Sequence, residues 1–185
     1  MNMKKIFLSI GLICLALYGY SQENLITISG GYSFANIEDT EIKPGGWRIN
    51  GSYEFNPTGG PWFFGFAIGY IGLSASEETL GSETVEYNIG TMPIYLAPKF
   101  MFGSDKVKGF IKAALGTQNS HLKRTGLIEV TDSDWGFYTG GSAGVTISLS
   151  EKFFINAEYE LAWLSNSYYK DGLMNSAMLG LGVKF

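Results

Sequence analysis

The fold is decided by the stretch Trp47–Phe55 (WRINGSYEF), in which apolar or small residues alternate with polar ones at every step. Successive side chains of a β-strand point to opposite faces, so this period of two predicts a strand. The face that begins at Trp47 is apolar, whereas the other face carries Arg48 and Glu54. Two charges on the hidden face exclude an ordinary hydrophobic core. The pattern instead fits a membrane barrel strand, with one face toward lipid and the other toward the lumen.

The same pattern returns in Phe153–Trp163, whose hidden face is again acidic because it carries Glu158 and Glu160. Most candidate strands are long enough for the roughly 9–11 tilted residues that cross a bilayer. Eight strands are predicted along the chain: Leu25–Phe34, Trp47–Phe55, Trp62–Leu73, Val85–Phe102, Val107–Gln118, Trp135–Leu149, Phe153–Ser165 and Leu173–Phe185. The fourth changes phase around Thr91-Met92-Pro93, where proline removes a ladder donor, and we expect a bulge there.

Short and long connections alternate along the chain. The short ones are Asn56–Pro61, Gly103–Lys106 and Ser150–Lys152, and the mostly longer ones are Ala35–Gly46, Ser74–Thr84, Asn119–Asp134 and Asn166–Gly172. Short turns of such barrels face the periplasm, which predicts that both chain ends lie there. The fold class is therefore all-β: an eight-stranded antiparallel up-and-down transmembrane β-barrel, with short periplasmic turns and longer extracellular loops.

The N-terminus has the pattern of a secretory signal peptide. Lys4 and Lys5 precede the apolar run Ile6–Leu17, which is shorter than the roughly 20 residues of a membrane-spanning helix. We expect residues 1–21 to be a signal peptide cleaved before Gln22. The strand signals after it show no composition break, so the remainder, residues 22–185, is predicted to be one barrel domain.

The composition narrows the class of protein further. Cys14 is the single cysteine and follows Ile13 rather than a small residue, which argues against a lipoprotein. Cleavage would remove it, so no internal disulfide is expected. Cleavage would also remove two lysines from a chain whose net charge is already −4. Such an acidic surface gives no electrostatic attraction for nucleic acid, and none is expected as a partner.

Seven charged residues fall on the lumenal phase of the predicted strands: Arg48, Glu54, Lys99, Lys112, Glu158, Glu160 and Lys184. An eight-stranded barrel has room for side chains but scarcely for an open channel. We therefore predict a lumen plugged by paired charges, because an unpaired buried charge carries a heavy desolvation cost. Glu54 and either Glu158 or Glu160 are the expected partners of Lys184. A narrow conducting pore or proton path is the alternative.

Aromatic residues cluster at the predicted strand ends and indicate two interfacial girdles. Phe55, Trp62, Phe102, Phe153 and Phe185 lie by the short turns, and Trp47, Tyr87, Trp135 and Trp163 lie by the long loops. Seven glycines fall on the lumenal phase, which suits a narrow barrel: Gly65, Gly69, Gly136, Gly140, Gly144, Gly180 and Gly182.

Three stretches carry a resemblance to a known family: Met92–Phe100 (MPIYLAPKF), the glycine-rich Gly136–Gly144 and the closing Leu179–Phe185 (LGLGVKF). The chain resembles the small outer-membrane β-barrel domain family, including its PorT-like members, over its whole mature length. The resemblance implies an eight-stranded barrel and leaves the function open. The terminal Phe185 is similar to the signal by which the barrel assembly machinery recognises such proteins.

Enzymes of this architecture usually depend on a histidine near a serine or carboxylate at the outer rim. The single histidine, His121, adjoins Ser120 in a predicted long loop, and Glu129, Asp132 and Asp134 follow. Adjacent residues of a strand point to opposite faces, so Ser120 is poorly placed for a histidine base. We expect no catalysis and no cofactor.

The predicted long loops carry candidate ligands for a metal ion. Glu38, Asp39 and Glu41, and then Glu77, Glu78 and Glu83, are hard oxygen ligands of the kind calcium prefers. No loop has the acidic spacing of a calcium-binding loop, so no metal site is predicted. A solvated acidic surface facing the lipopolysaccharide layer is the expected role, and Lys123 and Arg124 are the candidates for lipid phosphates.

The predicted function is structural or interactive: an integral outer-membrane barrel, monomeric unless a partner covers it. The alternatives are an accessory subunit of a secretion or gliding machine, or a narrow pore. A soluble lipocalin-like carrier is excluded by the inverted pattern, with aliphatic outward faces and charged inward faces. The expected partners are outer-membrane lipid and lipopolysaccharide, the barrel assembly machinery, and an envelope protein bound through the extracellular loops.

Overall fold

The structure is a computed structural model that describes residues 23–37, 43–79, 83–125, 130–165 and 168–185; the predicted signal peptide and its cleavage site lie outside these ranges. The strands are β1 Glu23–Ile37, β2 Gly45–Asn56, β3 Trp62–Thr79, β4 Glu83–Leu96, β5 Lys99–Gly103, β6 Val107–Thr125, β7 Val130–Ser148, β8 Phe153–Leu164 and β9 Tyr169–Lys184. None of the described residues belongs to a helix long and apolar enough to span a membrane.

The strands close into an antiparallel barrel because the first pairs with the last. β1 and β9 pair from Leu25 opposite Lys184 onward. Beyond that pair, Asn24 N donates to Phe185 O at 2.9 Å and Phe185 N donates to Asn24 O at 3.0 Å. Every other strand pairs with its neighbours in the chain, and β4 and β5 both lie between β3 and β6. The described residues therefore form a closed barrel of eight strand positions, as the alternation predicts, and leave no free sheet edge among them.

β4 and β5 occupy one strand position of the barrel, with a short interruption at Ala97-Pro98. Ala97 N donates to Gly65 O at 2.8 Å, and Ala113 N donates to Pro98 O at 2.9 Å, so the ladder continues through the gap. The two strands therefore correspond to the single fourth strand of the prediction.

The predicted bulge at Thr91-Met92-Pro93 is wrong. Ile68 lies opposite Ile94 and Ile71 lies opposite Thr91, so the register against β3 is unchanged on either side of Pro93. Thr91, Pro93 and Tyr95 are all buried, and the phase does not change. Proline omits a donor there without displacing the strand. The register shifts instead between β1 and β9, at Ala35/Ile37.

Two predicted long loops are largely strand. β3 and β4 remain paired as far as Thr79 opposite Glu83, and β6 and β7 as far as Arg124 opposite Val130. The alternation fades in these hairpin ends because most side chains from Lys123 to Ser133 are polar, and those described are exposed. Backbone pairing continues where the apolar face stops, so the period of two ends β3 and β6 too early and begins β4 and β7 too late.

The short connections are tight turns built by polar side chains. Asn56 Oδ1 accepts from Thr58 N at 3.1 Å and from Gly59 N at 2.8 Å, and Asn56 Nδ2 donates to Gly60 O at 2.7 Å. Gly59 has a φ of 70°, which glycine adopts without steric cost. We call the end of the barrel that carries the three short turns the short-turn end, and the opposite end the long-loop end.

The two faces of the wall have opposite chemistry. Outward positions are aliphatic or aromatic and exposed; Leu179 is 71% exposed, and Leu115 and Ile28 are each 63% exposed. Inward positions are buried and include most of the buried polar and charged residues. Such an arrangement inverts the ordinary water-soluble barrel and suits a wall surrounded by lipid.

Candidate functional site

Three ion pairs lie inside the barrel. Lys99 Nζ is 2.6 Å from Glu54 Oε2, and Lys112 Nζ is 2.5 Å from Glu158 Oε1. Arg48 Nη1 is 2.7 Å from Glu160 Oε1. All six side chains are at most 5% exposed. In an environment this dry an ion pair is tolerated only with good geometry and further hydrogen bonds.

The Arg48–Glu160 pair has the most partners. Arg48 Nη1 also donates to Ser176 Oγ at 2.9 Å, and Arg48 Nη2 donates to Tyr138 Oη at 3.1 Å. The Tyr138 hydroxyl donates to Glu160. Ser176 Oγ lies 2.7 Å from Ser33 Oγ, its partner in the β1–β9 ladder, which extends the network to β1. Side chains from five strands, β1, β2, β7, β8 and β9, thus share one polar network centred on the guanidinium of Arg48.

An apolar cluster fills the lumen at the short-turn end: Leu25, Phe63, Met101, Phe110 and Phe154. Glycines on neighbouring strands make room for its rings. A Cβ at Gly144 would lie 2.4 Å from Phe110 Cζ, and one at Gly182 would lie 2.1 Å from Phe154 Cζ. We call the three ion pairs the charged layer. The Lys99 ammonium lies 4.7 Å from the centre of the Phe110 ring, and this cation–π contact joins the charged layer to the apolar cluster.

A second, larger buried cluster lies toward the long-loop end and includes Leu73, Ile89, Leu164, Tyr169 and Met174. Next to it is a group of hydroxyl and amide side chains. Thr91 Oγ1 is 2.7 Å from Ser120 Oγ and 2.6 Å from Tyr169 Oη, and Ser120 Oγ donates to Gln118 Oε1 at 2.6 Å. The ion pairs are therefore bounded by packed side chains along the barrel axis in both directions.

Sequence reasoning did not identify these two clusters, although a signal for them exists. Phe63, Phe110 and Phe154 have the same parity as lumenal residues of their own strands, namely Gly65, Lys112 and Glu158. Lumenal positions of one strand therefore include apolar as well as charged side chains, and the charged residues alone do not predict the clusters.

Some buried polar atoms in or beside the charged layer have no protein hydrogen-bond partner within the described ranges, among them Arg48 Nε, Glu160 Oε2 and Asn156 Oδ1. Buried polar groups in folded proteins are almost always hydrogen-bonded, to protein or to ordered water. The charged layer therefore offers positions at which ordered water can bridge its members.

The predicted partners of Lys184 are wrong. Lys184 Nζ is 3.7 Å from Glu23 Oε1 and donates to Ser148 Oγ at 3.2 Å. Lys184 lies at the barrel's short-turn end and its side chain is 19% exposed, whereas Glu54, Glu158 and Glu160 are each occupied by another cation. The register between strands sets these partners, and the alternation within single strands does not specify it.

His121 and Ser120 lie on opposite faces of β6. Ser120 is fully buried in the hydroxyl group described above, whereas His121 is exposed on the outer wall, opposite Gly90 on β4 and Ser133 on β7. Asp134 lies opposite Ser120, and Asp132 has the same parity as Asp134. Glu129 lies outside the described residues. The structure therefore does not bring the predicted serine, histidine and carboxylates together.

Within the described part of the chain, no three acidic, histidine or cysteine side chains come together as a metal site. The loop carboxylates Glu38, Asp39 and Glu41 lie outside the described residues, as do the side chains of Glu77, Glu78 and Glu83.

The predicted girdle aromatics lie on the outer wall, with one exception. Trp47, Trp62, Phe102, Trp135, Phe153, Trp163 and Phe185 are 43–62% exposed, and Phe55 is partly exposed. Several pack in pairs across strands, such as Trp62 with Phe100 at 5.0 Å and Trp47 with Tyr70 at 5.2 Å between ring centroids. Tyr87 instead packs against the lumenal cluster, because it has the inward parity of Ile89.

Residues 6–185 match the family described as "Outer membrane protein beta-barrel domain". The chain belongs to this family. It is therefore an integral outer-membrane β-barrel, and its aliphatic outer wall is the surface that meets lipid. The finer resemblance to PorT-like members stays a prediction.

Solved outer-membrane barrels have similar folds at low identity. Neisserial surface protein A is 14% identical, with a TM-score of 0.64, and the alignment covers 88% of this chain and 97% of that one. Ail of Yersinia pestis, solved with a heparin analogue, is 21% identical, with a TM-score of 0.54 and coverages of 89% and 100%. The outer membrane enzyme PagL is 14% identical, with a TM-score of 0.54 and coverages of 85% and 98%.

These relatives share the barrel but not one function. An attachment protein and an enzyme both use it, and likeness at this level of identity shows the fold alone. No curated protein matches the sequence. The function of this outer-membrane barrel must therefore be argued from its own residues.

Proposed function

We propose that this outer-membrane barrel is a non-conducting structural or interaction protein whose lumen is plugged by its own side chains. The observation that carries the proposal is the stacking of the lumen. Three buried ion pairs lie between an apolar cluster at the short-turn end and a second cluster toward the long-loop end. An ion entering this lumen would have to displace packed rings and break paired charges.

Planar-bilayer recording of the purified, folded protein tests the plug. We expect no steady ion conductance, because the interior of an eight-stranded barrel is filled by side chains. Steady conductance that scales with the amount of protein inserted would instead support the narrow pore.

We propose that no catalysis takes place at the outer rim. The support is the geometry of His121, whose ring receives no hydrogen bond from any residue within the described ranges and lies on the opposite face from Ser120 and Asp134. A histidine base needs a nucleophile and an orienting acid within hydrogen-bond reach. Turnover of lipid A or phospholipid that is lost on His121→Ala would overturn this part of the proposal.

We assign the binding of a protein partner to the long-loop end. This end faces outward, because the short turns of such barrels face the periplasm. The β6–β7 hairpin extends there beyond Trp135 and exposes polar side chains on both faces, among them Lys123, Arg124, Thr131 and Asp132. Exposed connections positioned by a rigid scaffold commonly carry recognition. This surface is the one an envelope partner would contact if the protein is an accessory subunit. Pull-down from detergent extracts distinguishes the two roles, since a stoichiometric partner would replace the solitary barrel by the subunit.

Export and assembly complete the proposal. We assign residues 1–21 to a cleaved signal peptide and the exposed terminal Phe185 to recognition by the barrel assembly machinery. The intact mass of the protein isolated from membranes tests the first, with Gln22 expected as the first residue. The yield of folded barrel in cells tests the second, with Phe185→Ser expected to lower it.

A further inference from the structure

A pocket on the outside of the barrel lies near the long-loop end, with a volume of about 300 Å³. Four strands contribute to its wall: β2 through Trp47, β3 through Tyr70 and Ser74, β4 through Asn88, and β6 through His121 and Lys123. We call it the rim pocket. It faces away from the lumen and is separate from the buried charge pairs.

Two glycines shape the rim pocket. A Cβ at Gly72 would lie 3.1 Å from Trp47 Nε1, and one at Gly90 would lie 2.4 Å from Tyr70 Oη. Each aromatic side chain therefore lies across the adjoining strand instead of standing away from the wall. The two rings stack at 5.2 Å with an interplanar angle of 28°, and Trp47 remains 57% exposed. Together they form a flat aromatic platform on the outer wall.

Polar donors border this platform on the side toward the long loops. Ser74 Oγ donates to Asn88 Oδ1 at 2.8 Å, which leaves the amide NH₂ of Asn88 to donate elsewhere. The ammonium of Lys123, the hydroxyl of Tyr70 and the ring of His121 line the same pocket. Glu86 is the exposed acidic residue two positions before Asn88 on the same face of β4. The pocket thus combines a cation and several hydrogen-bond donors with an aromatic face.

The depth of the rim pocket in the membrane indicates which class of ligand it would bind. Tryptophan and tyrosine concentrate at the level of the lipid headgroups, and residues nearer the middle of the wall, such as Ile68 and Ile94, are aliphatic and exposed. A molecule in the rim pocket would therefore have its head at the membrane surface and its tails along the aliphatic wall. An aromatic platform suits the apolar face of a sugar ring, and an ammonium with nearby donors suits a phosphate.

We propose that the rim pocket binds the phosphorylated sugar headgroup of an outer-leaflet glycolipid. The phosphate contacts Lys123, Asn88 and His121, and the sugar lies on Trp47 and Tyr70. The proposal rests on the proposed function only for the orientation that places the long-loop end outside. It requires no particular state of the lumen.

Native mass spectrometry of the purified, folded full barrel, titrated with defined lipids, tests the proposal. Bisphosphorylated lipid A is expected to bind more tightly than dephosphorylated lipid A, phosphatidylglycerol or soluble glucosamine 1-phosphate, which lack the phosphate, the sugar and the acyl chains respectively. Equal binding of dephosphorylated lipid A would overturn the phosphate contact. Equal binding of phosphatidylglycerol would overturn the sugar contact, and equal binding of glucosamine 1-phosphate would overturn the assignment to a membrane lipid.

Two variants locate the site. Lys123→Gln is expected to weaken the binding of bisphosphorylated lipid A about tenfold, as for the loss of one hydrogen bond to a charged group. The matched control is Lys106→Gln, which removes an exposed lysine in a short turn at the opposite end and should leave binding unchanged. Gly90→Ala changes no charge but displaces the Tyr70 hydroxyl, and it should also weaken binding. Heat-modifiable gel migration confirms that each variant is folded.

If Lys123→Gln and Lys106→Gln bind alike, the rim pocket is not the site. That outcome would leave the plugged lumen intact, because planar-bilayer recording reports on the interior alone. Conversely, a conducting wild-type barrel that still selects bisphosphorylated lipid A through Lys123 would refute the plug and support the rim pocket.

Discussion

Arg48 and Glu160 lie 112 residues apart in the chain and form an ion pair of 2.7 Å inside the barrel. Neither side chain is more than 1% exposed. Arg48 lies on β2 and Glu160 on β8, so the pair connects two strands that are not neighbours in the sheet. The contact exists only when the barrel is closed, which makes it a direct reporter of closure.

Glu160→Gln should destabilise the barrel by about 3–5 kcal/mol, because it leaves the Arg48 guanidinium buried without a counter-charge. Reversible urea unfolding in lipid vesicles, followed by tryptophan fluorescence, measures the change. Glu151→Gln is the matched control; Glu151 is exposed in the turn before β8, and its loss should change stability by less than about 0.5 kcal/mol. The double variant Arg48→Met/Glu160→Met should recover most of the loss, because it removes both charges together. A stable Glu160→Gln barrel would show that Arg48 does not depend on Glu160.

Exchanging the charges of Glu54 and Lys99 tests the second pair. Glu54→Lys and Lys99→Glu should each destabilise the barrel by about 3–5 kcal/mol, since each places two like charges together in a buried site. The double exchange should recover all but about 1 kcal/mol. The remainder reflects the cation–π contact of Lys99 with Phe110, which the exchange removes. Additive losses in the double variant would contradict direct pairing.

Gly144 should not tolerate a side chain. A Cβ there would lie 2.3 Å from Ala157 O and 2.4 Å from Phe110 Cζ. Gly144→Ala should therefore cost about 1–3 kcal/mol through overpacking. Gly51→Ala is the control, because no atom lies within 4 Å of a Cβ at Gly51 on the outer wall. Equal stability of the two variants in urea unfolding would refute the packing of Phe110 against Gly144.

A charge on the outer wall distinguishes lipid from water as its surroundings. Leu179 is 71% exposed near the middle of the wall, and Leu149 is 62% exposed beside a short turn. In water both would tolerate arginine. In a bilayer Leu179→Arg should cost about 2–4 kcal/mol and Leu149→Arg at most about 1 kcal/mol, because the penalty falls toward the interface. Similar small effects of both substitutions on unfolding in vesicles would mean that Leu179 does not face lipid.

Alternation along single strands made the architecture predictable. Arg48 and Glu54 shared a face with Asn50 in the sequence, and all three are buried in the structure. The outward and inward faces of β2 and β8 could be read in this way because each strand has one apolar face throughout. The closing β9 could be read from Leu179, Leu181 and Val183 for the same reason.

Contacts between strands were not predictable in the same way. The partner of Lys184 depends on the stagger between strands, which no single strand encodes, and the predicted partners were wrong. The predicted β6 ends too early and the predicted β7 begins too late, because the residues around Lys123 and Thr131 no longer alternate with apolar ones although their backbones still pair. The sequence predicts a bulge at Pro93 because the missing backbone donor is visible in it. The intact hydrogen-bond ladder on either side of Pro93 is not visible in the sequence.

If packed side chains close the lumen, ion conductance depends on the rings that fill it. Wild-type protein and the Phe110→Ala/Phe154→Ala variant, which removes two rings of the short-turn cluster, should be recorded in the same planar bilayers. We expect no steady conductance for the wild type and measurable openings for the variant. Steady conductance by the wild-type protein would show that the lumen is open.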